Sequence, residues 1–172
     1  MRRVLSLAVA IAMFAIFAIV PAQAQVPPGC PAPVPGQTYN CTVHLNGGTQ
    51  SMTVAPVTCP DGSTVPGGSL TITINTGVFH ITINRAGDEW DTGTIEGGLV
   101  FVADTGVLYT GHFTQWFGDA INNHNGVSHF TATFVATGSD GSHLSLHFDL
   151  HISSSATPSG PANVVFFDKV HC

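Results

Sequence analysis

The stretch SHLSLHFDLHISSS, from Ser142 to Ser155, contains His143, His147, Asp149 and His151. Imidazole and carboxylate together are the donor set of many Zn(II) and Cu(II) sites, and they also relay protons near neutral pH. Leu144, Leu146, Phe148, Leu150 and Ile152 alternate with them without a break. Five apolar residues at period two share one side only in a β-strand, so the histidines and Asp149 face the other way. Residues four apart on a strand are separated by about 13–14 Å, whereas metal–nitrogen bonds are about 2.0–2.1 Å. No ion is held by this strand alone.

The preceding segment, VSHFTATFVAT, has Phe130, Ala132, Phe134 and Ala136 at alternate positions, with His129, Thr131 and Thr133 between them. A three-residue connection, Ser139-Asp140-Gly141, suits a type I turn followed by glycine in the left-handed region. That hairpin sets His129 opposite His151, Thr131 opposite Asp149 and Thr133 opposite His147. A two-residue loop would set apolar residues against polar ones, which the pleat rejects. The expected centre is therefore His129, Asp149 and His151, with Cβ atoms of the direct pair about 4.5–5.5 Å apart. His147 is a further candidate ligand. His112 joins them if VLYTGHFTQWF flanks the other side of the 128–137 strand. The implied cofactor is a divalent transition metal such as zinc or copper. The alternative is a solvent-facing polar stripe, for which Thr, Ser and His are ordinary choices.

A second set of candidate contacts lies upstream. Trp116 offers an aromatic platform. Asn122, Asn123 and His124 fall in a polar segment, residues 118–126, read as a loop with a plausible contact surface. Asn and Asp also favour turns on their own account. Asp91-Thr92-Gly93 and Asp104-Thr105-Gly106 repeat the triplet of aspartic proteases. Their closeness in sequence excludes the two lobes of a single-chain enzyme, and both read as turns between strands. Asp61, Asp88, Glu89 and Asp91 lack the spacing of a calcium loop. No Gly-x-Ser-x-Gly, His-Glu-x-x-His, phosphate loop or dinucleotide fingerprint is present.

The elements that must position these groups are strands. Thr38–Leu45 and Ser51–Val57 are expected around a turn at Asn46-Gly47-Gly48-Thr49. Residues 60–68 read as a loop. LTITIN and VFHITIN form an expected hairpin at Asn75-Thr76-Gly77. Two short strands are expected between Glu89 and Gly106, and a loop at residues 154–162 precedes the final strand. The result is an all-β, single antiparallel meander domain, with a β-barrel preferred over a β-sandwich because closure removes exposed edges.

Residues 1–24 have the form of a bacterial signal peptide. Arg2 and Arg3 precede an apolar run, and Ala22-Gln23-Ala24 supplies the cleavage site before Gln25. A Pro-rich arm (25–36) and the β domain (37–172) then make up the exported chain, secreted or held in the periplasm or at the cell surface, with no transmembrane anchor after processing. Only Arg85 and Lys169 remain as strong bases against ten acidic residues. Two cations cannot neutralise a run of phosphates, so nucleic acid is excluded as a partner. Cys30, Cys41, Cys59 and Cys172 all follow the cleavage site and contain no Cys-x-x-Cys, which points to two disulfides. The pairing expected is Cys30–Cys59 with Cys41–Cys172. Together these readings describe a secreted, disulfide-stabilised all-β protein that binds an extracellular ligand, polysaccharide or protein, without evident catalytic machinery. The alternative is a metal-binding protein, possibly an enzyme, built on the His/Asp cluster.

Overall fold

The computed structural model describes residues 30–34, 36–122, 125–157 and 160–172; the expected signal peptide lies outside them. Ten strands follow one another: β1 (Tyr39–Leu45), β2 (Thr49–Val54), β3 (Val57–Thr58), β4 (Thr64–Val65), β5 (Gly68–Ile83), β6 (Glu89–Ala103), β7 (Leu108–Ile121), β8 (Asn125–Gly138), β9 (His143–Thr157) and β10 (Gly160–His171). Eight of them form one antiparallel sheet in the order β1-β5-β6-β7-β8-β9-β10, with β2 also on β5; β3 and β4 make a separate small pair. From β5 onward each strand pairs with the next, as a meander requires. No helix among the described residues is long and apolar enough to cross a membrane.

The strands are longer than the sequence suggested. Asn75-Thr76-Gly77 is not a hairpin. β5 runs through it for 16 residues, and its register against β6 shifts between Ile74 and Thr76. The parity of the sequence changes at this point, from Leu70, Ile72 and Ile74 to Phe79, Ile81 and Ile83. A hairpin and a β-bulge both accommodate such a change, and here one extra residue in the strand does it. Likewise Asn46–Gly48 does not reverse the chain. β1 and β2 lie end to end along β5, with Leu45 opposite Gly77 and Thr49 opposite Thr73. Gly47 and Gly48 take positive φ there, and Ile74 N–H donates to the Gly48 carbonyl at 2.8 Å. The expected pair of short strands after Glu89 is the single strand β6. Asp91-Thr92-Gly93 therefore lies inside a strand, while Asp104-Thr105-Gly106 is indeed a turn.

One face of the sheet is apolar across β5 to β9. Leu70, Ile72, Leu99, Phe101, Phe113, Phe130, Phe134, Leu146 and Leu150 are buried there, and Phe113 is the most enclosed at 1% exposure. Phe113 pairs with Gly97 and Phe117 with Gly93. A methyl group at either glycine would strike the ring of its partner, so the glycines give the rings room to lie over β6. Among the described residues no second large sheet covers this face. The sheet curls over itself instead: Val54 and Leu70 share one small cavity, about 50 Å³, with Leu144, Leu146 and Phe148 of β9. Flat neighbouring strands stand about 4.8 Å apart, so β5 and β9, four places apart, meet only in a strongly curved sheet. The β3–β4 pair caps this end through Val57 and Val65.

The curl does not close into a barrel. β10 pairs only with β9, and β1 and β2 only with β5, among the described residues. The two ends are tied covalently: the disulfides are Cys30–Cys41 and Cys59–Cys172, not the expected pairing. Cys59 sits in the β3–β4 loop on the β1/β2 side, and Cys172 follows β10. The bond therefore spans the gap that a closed barrel would fill with a hydrogen-bond ladder. Cys30–Cys41 pins the arm to β1.

The chain-entropy model gives about 5 kcal/mol for a loop of 113 residues and about 3 kcal/mol for one of 11. Replacing Cys59 and Cys172 with alanine should lower the urea midpoint clearly more than replacing Cys30 and Cys41. Equal losses would mean that the long-range tie is not what holds the curl.

Candidate functional site

The hairpin between β8 and β9 places the chemistry-bearing residues. Gly138 N–H donates to the Ser142 carbonyl at 2.7 Å, Gly141 has φ of 83°, and Asp140 Oδ1 accepts from the Ser142 backbone at 3.0 Å. This is the three-residue turn that the spacing requires. His129 consequently faces His151, Thr131 faces Asp149 and Thr133 faces His147.

These side chains lie on the outer face of the sheet, opposite the core. His129 Nε2 donates to Asp149 Oδ1 at 2.7 Å, with both side chains part-exposed. The His129 and His151 rings are 5.8 Å apart. His147 does not join them. Its Nδ1 is hydrogen-bonded to Thr133 Oγ1 at 2.8 Å, and its ring stands 6.1 Å from that of His171 on β10. His112 is also elsewhere, opposite Val135 rather than Thr131. The place expected for His112 belongs to Trp116, the partner of Thr131.

The five expected ligands thus divide into His129, Asp149 and His151 on one side and two separate histidines on the other. Among the described residues no three His, Cys, Asp or Glu side chains are disposed to hold one ion. The local reason is that the Asp149 carboxylate already engages the Nε2 that would coordinate. Nor do the parts join into a catalytic relay. The carboxylate orients His129 while the hydroxyl of Thr133 contacts His147, so acid and hydroxyl sit on different imidazoles.

What the arrangement does build is a surface around Trp116. The indole meets the His129 ring edge-on, with centroids 5.3 Å apart. Its six-membered ring extends over Gly118: Cη2 lies 2.9 Å from where a methyl at Gly118 would be. Gly118 in turn is opposite His129. The indole therefore leans along the sheet, with 37% of the residue exposed. Beside it, on the same face, is a trough of about 410 Å³. Two rows of residues line it across β5–β8. One row is Thr76, Glu96, Thr114 and Thr133; the other is Val78, Thr94, Trp116 and Thr131. Five hydroxyls, one carboxylate and one indole converge on a space of the size of many small-ligand sites.

The expected contact loop contributes less. β7 reaches Ile121 and β8 starts at Asn125, so residues 118–126 are mostly strand. Asn122 Oδ1 accepts from the Asn125 backbone at 2.7 Å and serves the turn. Asn123 and His124 lie outside the described residues.

The inner face holds a group that the sequence reading did not bring together. Asp91 is opposite Asp119 in the β6–β7 ladder, and Glu89 lies one pleat away. Burial raises the Asp91 carboxyl to about 7, helped by the charge of Glu89, a hydrogen bond with it, and the charge of Asp119. Burial also raises Asp119, against the lowering effect of its hydrogen bond with Ser128. Parity was the available signal, since Asp91 alternates in step with Gly93, Ile95 and Leu99.

No known family model, curated protein or solved structure matches the chain.

A carboxyl raised in the folded state stabilises it fully below its ordinary value of 3.8 and loses that contribution as pH rises through about 7. The melting temperature should therefore fall between pH 5 and pH 8. Asp91→Asn should remove most of that fall and raise the melting temperature at pH 8 by about 2–5 °C, the modest size reflecting solvent screening of a half-exposed group. Parallel melting curves for wild type and variant across this range would contradict the assignment.

Proposed function

We propose that this chain is an exported binding protein whose ligand lies in the outer-face trough beside Trp116. The observation that carries the reading is the trough itself. It joins an exposed indole to five threonine hydroxyls and Glu96 on a rigid sheet. An aromatic plane supplies contact area at little conformational cost, and hydroxyls fix orientation by donating or accepting. Strands hold such groups more precisely than loops do. The His129–Asp149 pair acts here as a support: the carboxylate orients the imidazole, and the imidazole edge limits where the indole rests.

The disulfides support the export half of this reading. Two disulfides suit a chain that works outside the cytoplasm, where thiols are oxidised. The described surface offers few cations, so partners recognised through phosphate are disfavoured.

Amide chemical-shift mapping against a library of saccharides, small polar molecules and apolar fragments tests the site. The largest perturbations should fall on residues 76–78, 94–96, 114–116 and 131–133. Trp116→Ala should fold normally, since the residue is on the outer face, and should weaken any hit by at least tenfold. Perturbations centred elsewhere on the molecule, or hits indifferent to Trp116→Ala, would refute the assignment.

A further inference from the structure

The outer face continues beyond the trough, and its second exposed indole lies along the same path. Trp90 is 45% exposed, opposite Thr82 and Ala120. It projects from the same face as Trp116, because Trp116 and Ala120 share parity on β7 and Ala120 pairs with Trp90. Between the two indoles lie Gly118 and Thr92, which are paired with each other. Thr92 is small, and Gly118 is overlaid by the Trp116 indole itself, so the path there runs across that ring. Four residues along a strand and one strand across separate the two tryptophans by about 14 Å. The trough itself spans three strand spacings, about 14 Å, from β5 to β8, across the strand direction. One charged side chain, Glu96, lines the trough, and the described strong bases stand outside it: Lys169 is on β10 and Arg85 is in the β5–β6 turn.

From this strip we infer that the ligand is a neutral polysaccharide strand, seated in the trough against Trp116 and extending across its indole and Thr92 to Trp90. The inference rests on the proposed trough site and adds its ligand class and length. Sugar rings present C–H faces that pack on indole and hydroxyls that pair with threonine. A negatively charged chain would meet Glu96 with no cation in the trough to offset the repulsion. Two platforms on one rigid face favour a polymer over its short fragments, because the second contact becomes intramolecular once the first is made.

Calorimetric titration with cellotriose, cellohexaose, mannotriose and mannohexaose, and with tri- and hexagalacturonate as acidic counterparts, tests this. At least one neutral series should bind, with the hexasaccharide at least tenfold tighter than the trisaccharide. Trp116→Ala should weaken both lengths by tenfold or more. Trp90→Ala should erase the advantage of the longer chain and leave the trisaccharide unchanged. A hexasaccharide advantage that survives Trp90→Ala would overturn the extended path while leaving the trough intact. Acidic chains binding as well as neutral ones, or no neutral chain binding, would overturn the ligand class. Neutral binding that ignores Trp116→Ala would remove the trough reading as well.

Discussion

Everything in this molecule depends on keeping one parity of side chains on each side of a single sheet. With no second large sheet over the apolar face among the described residues, a slip of one residue in any long ladder would send its buried set to solvent. The β8–β9 turn shows how strictly this is enforced. Gly141 at positive φ and the Asp140 carboxylate on the Ser142 backbone specify a three-residue loop, and that loop buries Phe130, Phe134, Leu146 and Leu150 together. The same parity puts His129, Asp149 and His151 outside. Core and outer surface are consequences of one register, so the surface is as well specified as the core beneath it.

Parity must nevertheless be broken within the long ladders, and besides a shift between Gly160 and Asn163 of β10 the sheet breaks it in the middle of β5. The extra residue of β5 falls between Ile74 and Thr76; alongside it are the Asn46–Gly48 interruption on one side and Gly97-Gly98 on the other. A Cβ at Gly97 would collide with the Thr73 carbonyl, so the backbones of β5 and β6 approach closely there. Bulges and glycines increase local twist and let a sheet coil. Coiling brings β9 over β2 and β5 and encloses the core without a partner layer. It also explains why hydrogen-bonded closure is dispensable: Cys59–Cys172 holds the two sides of the curl together at the capped end.

These features were unequally legible in the sequence. The register of β8 against β9 was readable, because their alternation is uninterrupted and only one loop length satisfies both; the loop expected at residues 154–162 was wrong, since β9 runs on to Thr157 and β10 starts at Gly160. The meander and the all-β class followed from the same alternation. Strand lengths were not readable. Asn75-Thr76-Gly77 has the composition of a hairpin turn, and only the partner strand decides that it is a bulge. The disulfide pairing was hidden for a related reason, since the curl that brings Cys172 to Cys59 is a property of the whole sheet. His112 was assigned to the right strand and the right face, but its offset along β7 depends on the β7–β8 register. Four residues of offset replace a ligand with an indole.

That replacement changes what the histidine stripe is for. Spaced imidazoles with a carboxylate invite a metal or a proton relay, yet Asp149, His129 and His147 are each already engaged with a neighbour of a different kind. Asp149 takes the proton-bearing nitrogen of His129, Thr133 takes Nδ1 of His147, and the His129 ring turns its remaining surface to Trp116. A ligand set for an ion needs lone pairs aimed at one vacant point, whereas these groups aim at one another. Part-exposed hydrogen bonds of this type contribute modestly to stability, on the order of 1–3 kcal/mol when one partner is charged. Their larger effect is positional. An indole that leans over a bare glycine and against a fixed imidazole has few alternative rotamers to lose when something lands on it. Under the proposed reading, residues that look like chemistry in the sequence act as the frame that keeps a flat aromatic surface ready for a ligand.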